Sequence, residues 1–324
     1  MSTVLITGAA GFIGSHLTDA YLAAGWDVVG LDDLSTGRRE NLAPAAAHSR
    51  FRFVLGDVCD EALVGEVIEN TDLVVHLAAR IGLRLVIDSP LRTLENNVNG
   101  TQVVIRHAAA RKIRTIVAST SEVYGLSTRI PSHEDDPIAF GSPVIGRWSY
   151  ACSKAYDEFV TLAHYRENGL PATVVRLFNT VGARQTGRYG MVLPRFVRQA
   201  RAGEPLTVYG DGRQTRCFAS VHDVVRALLQ IAGEARTVGE VLNLGNPEEI
   251  EIVELAHRVI ALTGSASQIV FVPFEDAFGA GFEEIMRRVP DIRKARALLG
   301  FEPRIRLDAI IAEVLGQFAA EAAA

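Results

Sequence analysis

Cysteine is scarce in this chain of 324 residues: three are present, Cys59, Cys152 and Cys217, widely spaced and odd in number. That pattern excludes a disulfide framework and a metal-ligand pair, so no metal is expected and a cytoplasmic location is. Cys152 has no thiolate-activating neighbours and reads as structural. No apolar run is long enough to span a bilayer. The N-terminus enters a strand-like segment, Thr3-Val4-Leu5-Ile6-Thr7, without the basic region and long apolar stretch of a signal peptide. Positive charge is not in excess: the formal net charge is −5 and no basic stripe stands out. Nucleic acid and membrane are therefore not expected partners, although a local arginine cluster still suits a small anion. Internal repeats are missing, and the one biased segment, the alanine-rich tail, is expected as a frayed end.

What is present is an ordinary globular composition, 48% hydrophobic and 22% charged, in a chain longer than one core usually fills. Short β-rich runs at Val4–Thr7, Asp27–Leu31, Phe51–Leu55, Leu73–Leu77, Thr115–Ala118 and Thr173–Phe178 alternate with helix-like stretches. The latter are His16–Ala24, Asp60–Glu69, Leu91–Arg111 and Ser153–Glu167. This alternation predicts an α/β fold, a doubly wound parallel sheet of Rossmann type with ligands along the strand C-termini. Beyond residue 180 the pattern loosens into turns at Gly203-Glu204-Pro205 and Gly210-Asp211-Gly212, with a late strand at Val241–Leu244. Ile252–Leu262 and Leu307–Ala319 read as helices, and Asp223 after His222 as the cap of a helix at Val224. The expected division is a nucleotide-binding domain of 1–180 plus about 215–248, and a smaller C-terminal lobe of 181–214 plus about 249–324 that covers the substrate.

The segment Gly8-Ala9-Ala10-Gly11-Phe12-Ile13-Gly14 follows the first strand and opens the first helix. Glycines here permit a tight turn and close approach of backbone to phosphate, and the helix N-terminus offers free amides. The triplet alone is weak evidence, because it also suits a turn needed only for helix–sheet packing. Context decides: the second strand ends in Asp32-Asp33, where a carboxylate accepts from an adenosine ribose and repels a 2′-phosphate, favouring NAD over NADP. The third strand ends in Gly56-Asp57-Val58, placed to meet the adenine.

The fifth strand runs into Ser119-Thr120-Ser121-Glu122-Val123-Tyr124-Gly125, and downstream comes Tyr150-Ala151-Cys152-Ser153-Lys154. Tyrosine and lysine four apart share one helix face, where an ammonium favours phenolate and makes a usable base. By itself the pair also fits a solvated helix face. His76, ending the fourth strand, reads as a packed histidine, and Trp26 and Trp148 as packing residues, with Trp148 also suited to flank the substrate.

Together these motifs resemble the extended short-chain dehydrogenase/reductases, in the NAD-dependent sugar-nucleotide epimerase/dehydratase family, from the glycine motif to at least residue 310. The resemblance implies NAD on Gly8, Gly11, Phe12, Ile13 and Gly14, on Asp32, Asp33, Ser35, Thr36 and Gly37, and on Asp57 and Val58. Leu77, Ala78, Ala79, Tyr150 and Lys154 complete that set. It implies Tyr150 as the base, Lys154 on the nicotinamide ribose, and Thr120 or Ser121 orienting the sugar hydroxyl. Asn179 and Arg216 fall to the nucleotide diphosphate, with Val208 and Tyr209 also on the substrate. A homodimer through the helices containing Leu91–Arg111 and Ser153–Glu167 is implied as well.

Within the family, simple 4-epimerases carry a small residue where this chain has Glu122. The 4,6-dehydratases use an acid pair, commonly Asp-Glu, with Ser-Glu in GDP-mannose dehydratases. UDP-glucuronate decarboxylases carry Thr-Ser-Glu-Val-Tyr-Gly, as here. The Arg147-Trp148 pair before the tyrosine, Arg216-Cys217-Phe218, Asn243-Leu244-Gly245-Asn246-Pro247 and the segment Gly281–Pro290 resemble the decarboxylase domain of the bacterial UDP-4-amino-arabinose pathway. The last segment places Arg288 on the arginine proposed there as proton donor. Arginine is a poor acid, so Arg288 is better assigned to positioning a proton-delivering water, with Glu122 holding that water or discouraging carboxylate binding until a ketone forms. Two departures stand out. Phe282 replaces a substrate-side tyrosine, and Ala79-Arg80-Ile81-Gly82-Leu83-Arg84 resembles the loop of some glucuronate 4-epimerases, where Arg84 would grip a carboxylate. The expected function is therefore NAD-dependent decarboxylation of UDP-glucuronate to UDP-xylose or a 4-keto-pentose. A 4,6-dehydratase or 4-epimerase is the alternative, and a non-catalytic dinucleotide sensor the remote one.

Overall fold

The computed structural model describes residues 2–187, 190–279 and 282–323. Its framework is a seven-stranded sheet containing β1 (Thr3–Thr7), β2 (Asp27–Asp32), β3 (Phe51–Leu55), β4 (Leu73–His76), β5 (Arg114–Thr120) and β6 (Ala172–Leu177). The order is Val241–Leu244, β6, β5, β4, β1, β2, β3, and every pairing is parallel. Parallel sheets are covered on both faces, which is why β1 is apolar without alternation. Val4 and Ile6 enter one hydrophobic cluster with Leu17, Val28 and Val224, while Leu5 enters the other with Val29, Val104 and Ile105. The strand order turns back between β4 and β1, the switch point at which such sheets bind ligands.

The local signals set the boundaries. The helix Trp148–Asn168 starts earlier than its apolar period suggested, which puts Tyr150 in its first turn, and it stops at Gly169 in the left-handed region, φ +65°. The helix Glu61–Val67 is capped by Asp60, whose side chain accepts from the Leu63 amide at 3.1 Å. Asp223 is not a cap. Ser220 caps Val221–Gly233, and Asp223 lies buried inside its first turn, accepting from the Arg304 and Ile305 amides at 2.9 and 3.0 Å. Cys152 is exposed and takes no part in the core.

A third hydrophobic cluster, built on Leu193, Phe196, Val197, Val208, Leu255, Ile310 and Val314, lies apart from the two sheet layers. It unites the helices Val192–Ala202 and Ile252–Thr263 with Leu307–Ala323 and the two-stranded pairing of Leu206–Tyr209 with Ile269–Val272. The alanine-rich tail is helical to Ala323 rather than frayed, because Leu307, Ile310, Ile311 and Val314 recur at helical spacing against this cluster. No helix among the described residues is long and apolar enough to cross a membrane.

Candidate active site

One cleft runs along the sheet's C-terminal edge. At its nucleotide end Gly8 has φ +72°, and a Cβ there would come within 2.8 Å of the Ala78 amide nitrogen. A Cβ on Gly14 would reach the Gly8 carbonyl oxygen at 2.1 Å. The helix Phe12–Ala23 thus begins pressed against its own loop, with Gly11 as N-cap and no side-chain cap hydrogen bond. Its first amides are left for an anion. Asp32 is buried and accepts from the Ala10 and Leu34 amides at 2.9 and 2.8 Å, so it also shapes the loop. Burial pushes its carboxyl up, and those amides oppose the rise. Asp33 accepts from the Ser35 amide and hydroxyl at 2.9 and 2.7 Å. Phe12, Ile13, Thr36, Asp57, Val58, Leu77, Ala78 and Ala79 line the same end. Gly37 stands behind the wall, where a Cβ would lie 2.9 Å from Asp32 Oδ1.

In the middle, β5 delivers Thr120, and its side chain caps the turn Ser121–Tyr124 by accepting from the Glu122 amide at 3.2 Å. Tyr150 and Lys154 face this turn across the cleft from the helix Trp148–Asn168. Tyr150 is 5% exposed, and its phenol shares a hydrogen bond with Thr120. The motif implies a phenol softened by the lysine; here the phenol and the ammonium meet different partners. Burial, then the Glu122 charge, pushes the phenol well above its ordinary value. The Lys154 ammonium is instead committed to Asp157 Oδ2 at 2.8 Å.

At the far end three arginines converge. Arg288 Nη1 lies 3.3 Å from Glu122 Oε1, and Arg147 Nη2 lies 4.0 Å from Glu122 Oε2. Arg216 Nη2 pairs with Glu284 Oε1 at 2.8 Å, and Arg147 Nη1 lies 3.6 Å from the same oxygen. Arg147 is buried between the Trp148 and Phe282 rings, 5.0 Å from each centroid. Burial, then Arg288, brings the Arg216 guanidinium down to about 10. Three guanidiniums held against two carboxylates leave a positive end suited to phosphate and carboxylate groups.

Ser121, Asn179, whose Nδ2 donates to the Cys217 carbonyl at 3.2 Å, and Tyr209 also face the cleft. Three expected substrate residues do not. Arg84 is exposed, 3.6 Å from Asp88 and donating to the Ala277 carbonyl at 3.2 Å, because the helix Leu83–Asp88 turns it outward. Val208 is wholly buried in the third cluster, since strand alternation sends it opposite to Tyr209. Phe282 stacks on Phe278 at 4.5 Å, taking the place of a ring that would carry a hydroxyl. Gly281, which opens that segment, lies outside the described residues.

The GDP-mannose 4,6 dehydratase family matches residues 5–314. The chain belongs to that family. It is 38% identical over 315 residues to a UDP-N-acetyl-alpha-D-glucosaminuronate decarboxylase of Bacillus cytotoxicus, covering 97% of each. It is 36% identical to UDP-glucuronic acid decarboxylase 1 of Danio rerio, over 98% of this chain and 73% of that one. Among solved structures, UDP-glucuronic acid 4-epimerase from Bacillus cereus, in complex with UDP-glucuronic acid and NAD, superposes with a TM-score of 0.87. That pair is 28% identical and covers 98% of this chain and 99% of the other.

Sequence reasoning missed several cleft residues of this family member. Arg195 is 8% exposed, and its guanidinium lies over the Tyr209 ring, 4.2 Å from the centroid. Glu284, Gln214, Phe274 and Phe278 also line the cleft. Glu284 carried a signal, an acid four residues before Arg288 in a segment already singled out. Arg195 carried none, because it lies on a helix that the loosened pattern hid.

Proposed function

We propose that the protein is an NAD-dependent decarboxylase of a UDP-linked hexuronate, UDP-glucuronate first among them. The carrying observation is the adjacency of the Tyr150–Thr120 pair to the Glu122–Arg288 ion pair, between a glycine cradle and a cluster of arginines. The cradle around Gly8 and Gly14 leaves no space for side chains and fits a pyrophosphate, with Asp33 and Asp57 near the adenosine and Lys154 near the nicotinamide ribose. NAD, when bound, supplies an acceptor for the hydride of the sugar's C4. Tyr150 takes the C4 hydroxyl proton while Thr120 and Ser121 orient that hydroxyl. The product is a β-keto acid: its bond to the carboxylate breaks, CO2 leaves, and the electron pair flows into the ketone as an enolate. Arg288 stabilises that charge and positions the water that returns a proton to the ring carbon, with Glu122 fixing Arg288. Arg147, Arg216 and Asn179 hold the diphosphate end.

A second reading of the substrate, the N-acetylated uronate, is favoured by the 38% identity to the Bacillus cytotoxicus enzyme. On this proposal residues 1–180 with about 215–248 carry the dinucleotide, and the remainder covers the sugar nucleotide. Pairing of two copies through the helices Pro90–Arg111 and Trp148–Asn168 accounts for Leu91 and Phe159, exposed at 67% and 68%. A cytoplasmic, reducing compartment suits three unpaired thiols. The test is incubation with NAD and either UDP-uronate, followed by mass spectrometry. Loss of the mass of CO2 is expected where the ketone takes the hydride back before release, and of CO2 plus two hydrogens where it leaves unreduced. Unchanged mass with a new stereoisomer, or water loss from a neutral UDP- or GDP-hexose alone, overturns the reading in favour of epimerase or dehydratase.

A further inference from the structure

Asp157 stands three residues after Lys154 on the helix Trp148–Asn168 and is fully buried. Its Oδ2 accepts from the Lys154 ammonium at 2.8 Å, and its Oδ1 lacks a hydrogen-bond partner among the described residues. Behind the pair the Thr101 hydroxyl faces this carboxyl and meets His76 Nε2 at 3.0 Å. His76 Nδ1 meets Thr7 Oγ1 at 2.7 Å, and that hydroxyl accepts from the Ala78 amide at 3.2 Å beside the glycine cradle. A lysine whose head lines the cleft is thus anchored from the protein interior, and the anchor is an acid.

We infer that Asp157 is a positioning residue that holds the Lys154 ammonium at one point of the cleft wall and sets a buried carboxylate two helical turns after Tyr150 on the same helix. This rests on the reading of Tyr150 and Lys154 given above. The charged groups facing Tyr150 are Glu122 from the turn after β5, Arg288 from the C-terminal segment, and Lys154 and Asp157 from its own helix. Those facing Asp157 are Lys154 and Glu158, and Glu158 is itself tied to Arg176 at 2.7 Å. His76, from β4, stays neutral, brought to about 3 by burial and then by Lys154. Glu122 and Asp157 both raise the phenol, but only Asp157 does so from behind, without facing the substrate.

The test uses the full chain. In Asp157→Asn the acid limb of kcat/KM against pH moves about half a unit or more towards lower pH, because a charge that opposed phenolate is gone. Asp157→Glu keeps the native limb. Calorimetry of NAD binding to the cofactor-stripped chain gives affinity about tenfold weaker in Asp157→Leu and intermediate loss in Asp157→Asn, whose amide oxygen still accepts from the ammonium. A pH profile for Asp157→Asn that superposes on the native one, or native NAD affinity in both neutral variants, overturns the inference. The binding arm needs no turnover. A native chain that decarboxylates neither uronate therefore refutes the proposed function, while the calorimetry still judges the anchor.

Discussion

Gly8, Gly11 and Gly14 act through backbone that cannot carry a side chain, whereas Arg147, Arg216 and Arg288 act through side chains delivered by three separate stretches of chain. The first arrangement is local. Seven consecutive residues, one strand end and one helix start complete it, so a short motif predicts it. The second is assembled by the fold. Arg216 comes from the strand Thr215–Cys217, Arg147 from the N-cap of the tyrosine helix, and Arg288 from the extended segment before Pro290, with no common spacing. The nucleotide end is therefore expected to fail through shape, and the anion end through charge.

The deepest break lies between the two ends. Tyr150→Phe removes the proton acceptor and leaves the ring's packing, and turnover on the uronate is expected to fall about 10²–10⁴-fold with NAD affinity nearly native. Steady-state kinetics beside NAD calorimetry check it, and retained turnover would remove Tyr150 from the chemistry. Next comes Gly14→Ala. Its Cβ would meet the Gly8 carbonyl oxygen at 2.1 Å, so the loop must shift away from the helix. NAD affinity is expected to drop about a hundredfold, with a lowered Tm for the apo chain. Native NAD binding in this variant would mean that the cradle is only a packing turn.

The anion end breaks differently. Arg216→Met leaves Glu284 without its 2.8 Å partner and removes a buried charge. The substrate KM is expected to rise about tenfold to a hundredfold while NAD binding stays native. Parallel losses in both ligands would show that the two ends are not separate.

The same contrast explains what could be read before the fold was seen. The sheet, the glycine cradle, Asp32 and the Thr120–Tyr150–Lys154 set were legible because each depends on neighbours in sequence: a strand's apolar run, a helix start, a four-residue helical spacing. Helix Val192–Ala202 was not, because its apolar positions are interrupted by arginines that it buries or displays only in tertiary context, Arg195 among them. Lys154 was read correctly as a cleft residue, but its partner was not. The Tyr-Lys spacing suggests a conversation between those two, and nothing in it reveals that Asp157, three residues further on, takes the ammonium at 2.8 Å. Val208 illustrates the remaining failure: a strand register of one residue decides whether Val208 or Tyr209 faces the ligand, and that register is set by the third cluster.

The smallest expected effect sharpens the comparison most. Arg84 was drawn to the substrate by the resemblance of its loop to that of some epimerases, yet it is exposed and bound to Asp88 and the Ala277 carbonyl. An exposed pair of this kind contributes little, about 0–1 kcal/mol, so Arg84→Ala is expected to change KM and kcat less than about twofold. Arg288, by contrast, is mostly buried against Glu122 beside the phenol. If Arg84→Ala instead raised KM for a UDP-uronate tenfold and left a neutral UDP-hexose untouched, the loop would have to fold inward on the carboxylate. An arginine gripping that carboxylate keeps it on the sugar, so such a result would move the chemistry of this cleft from decarboxylation towards epimerisation.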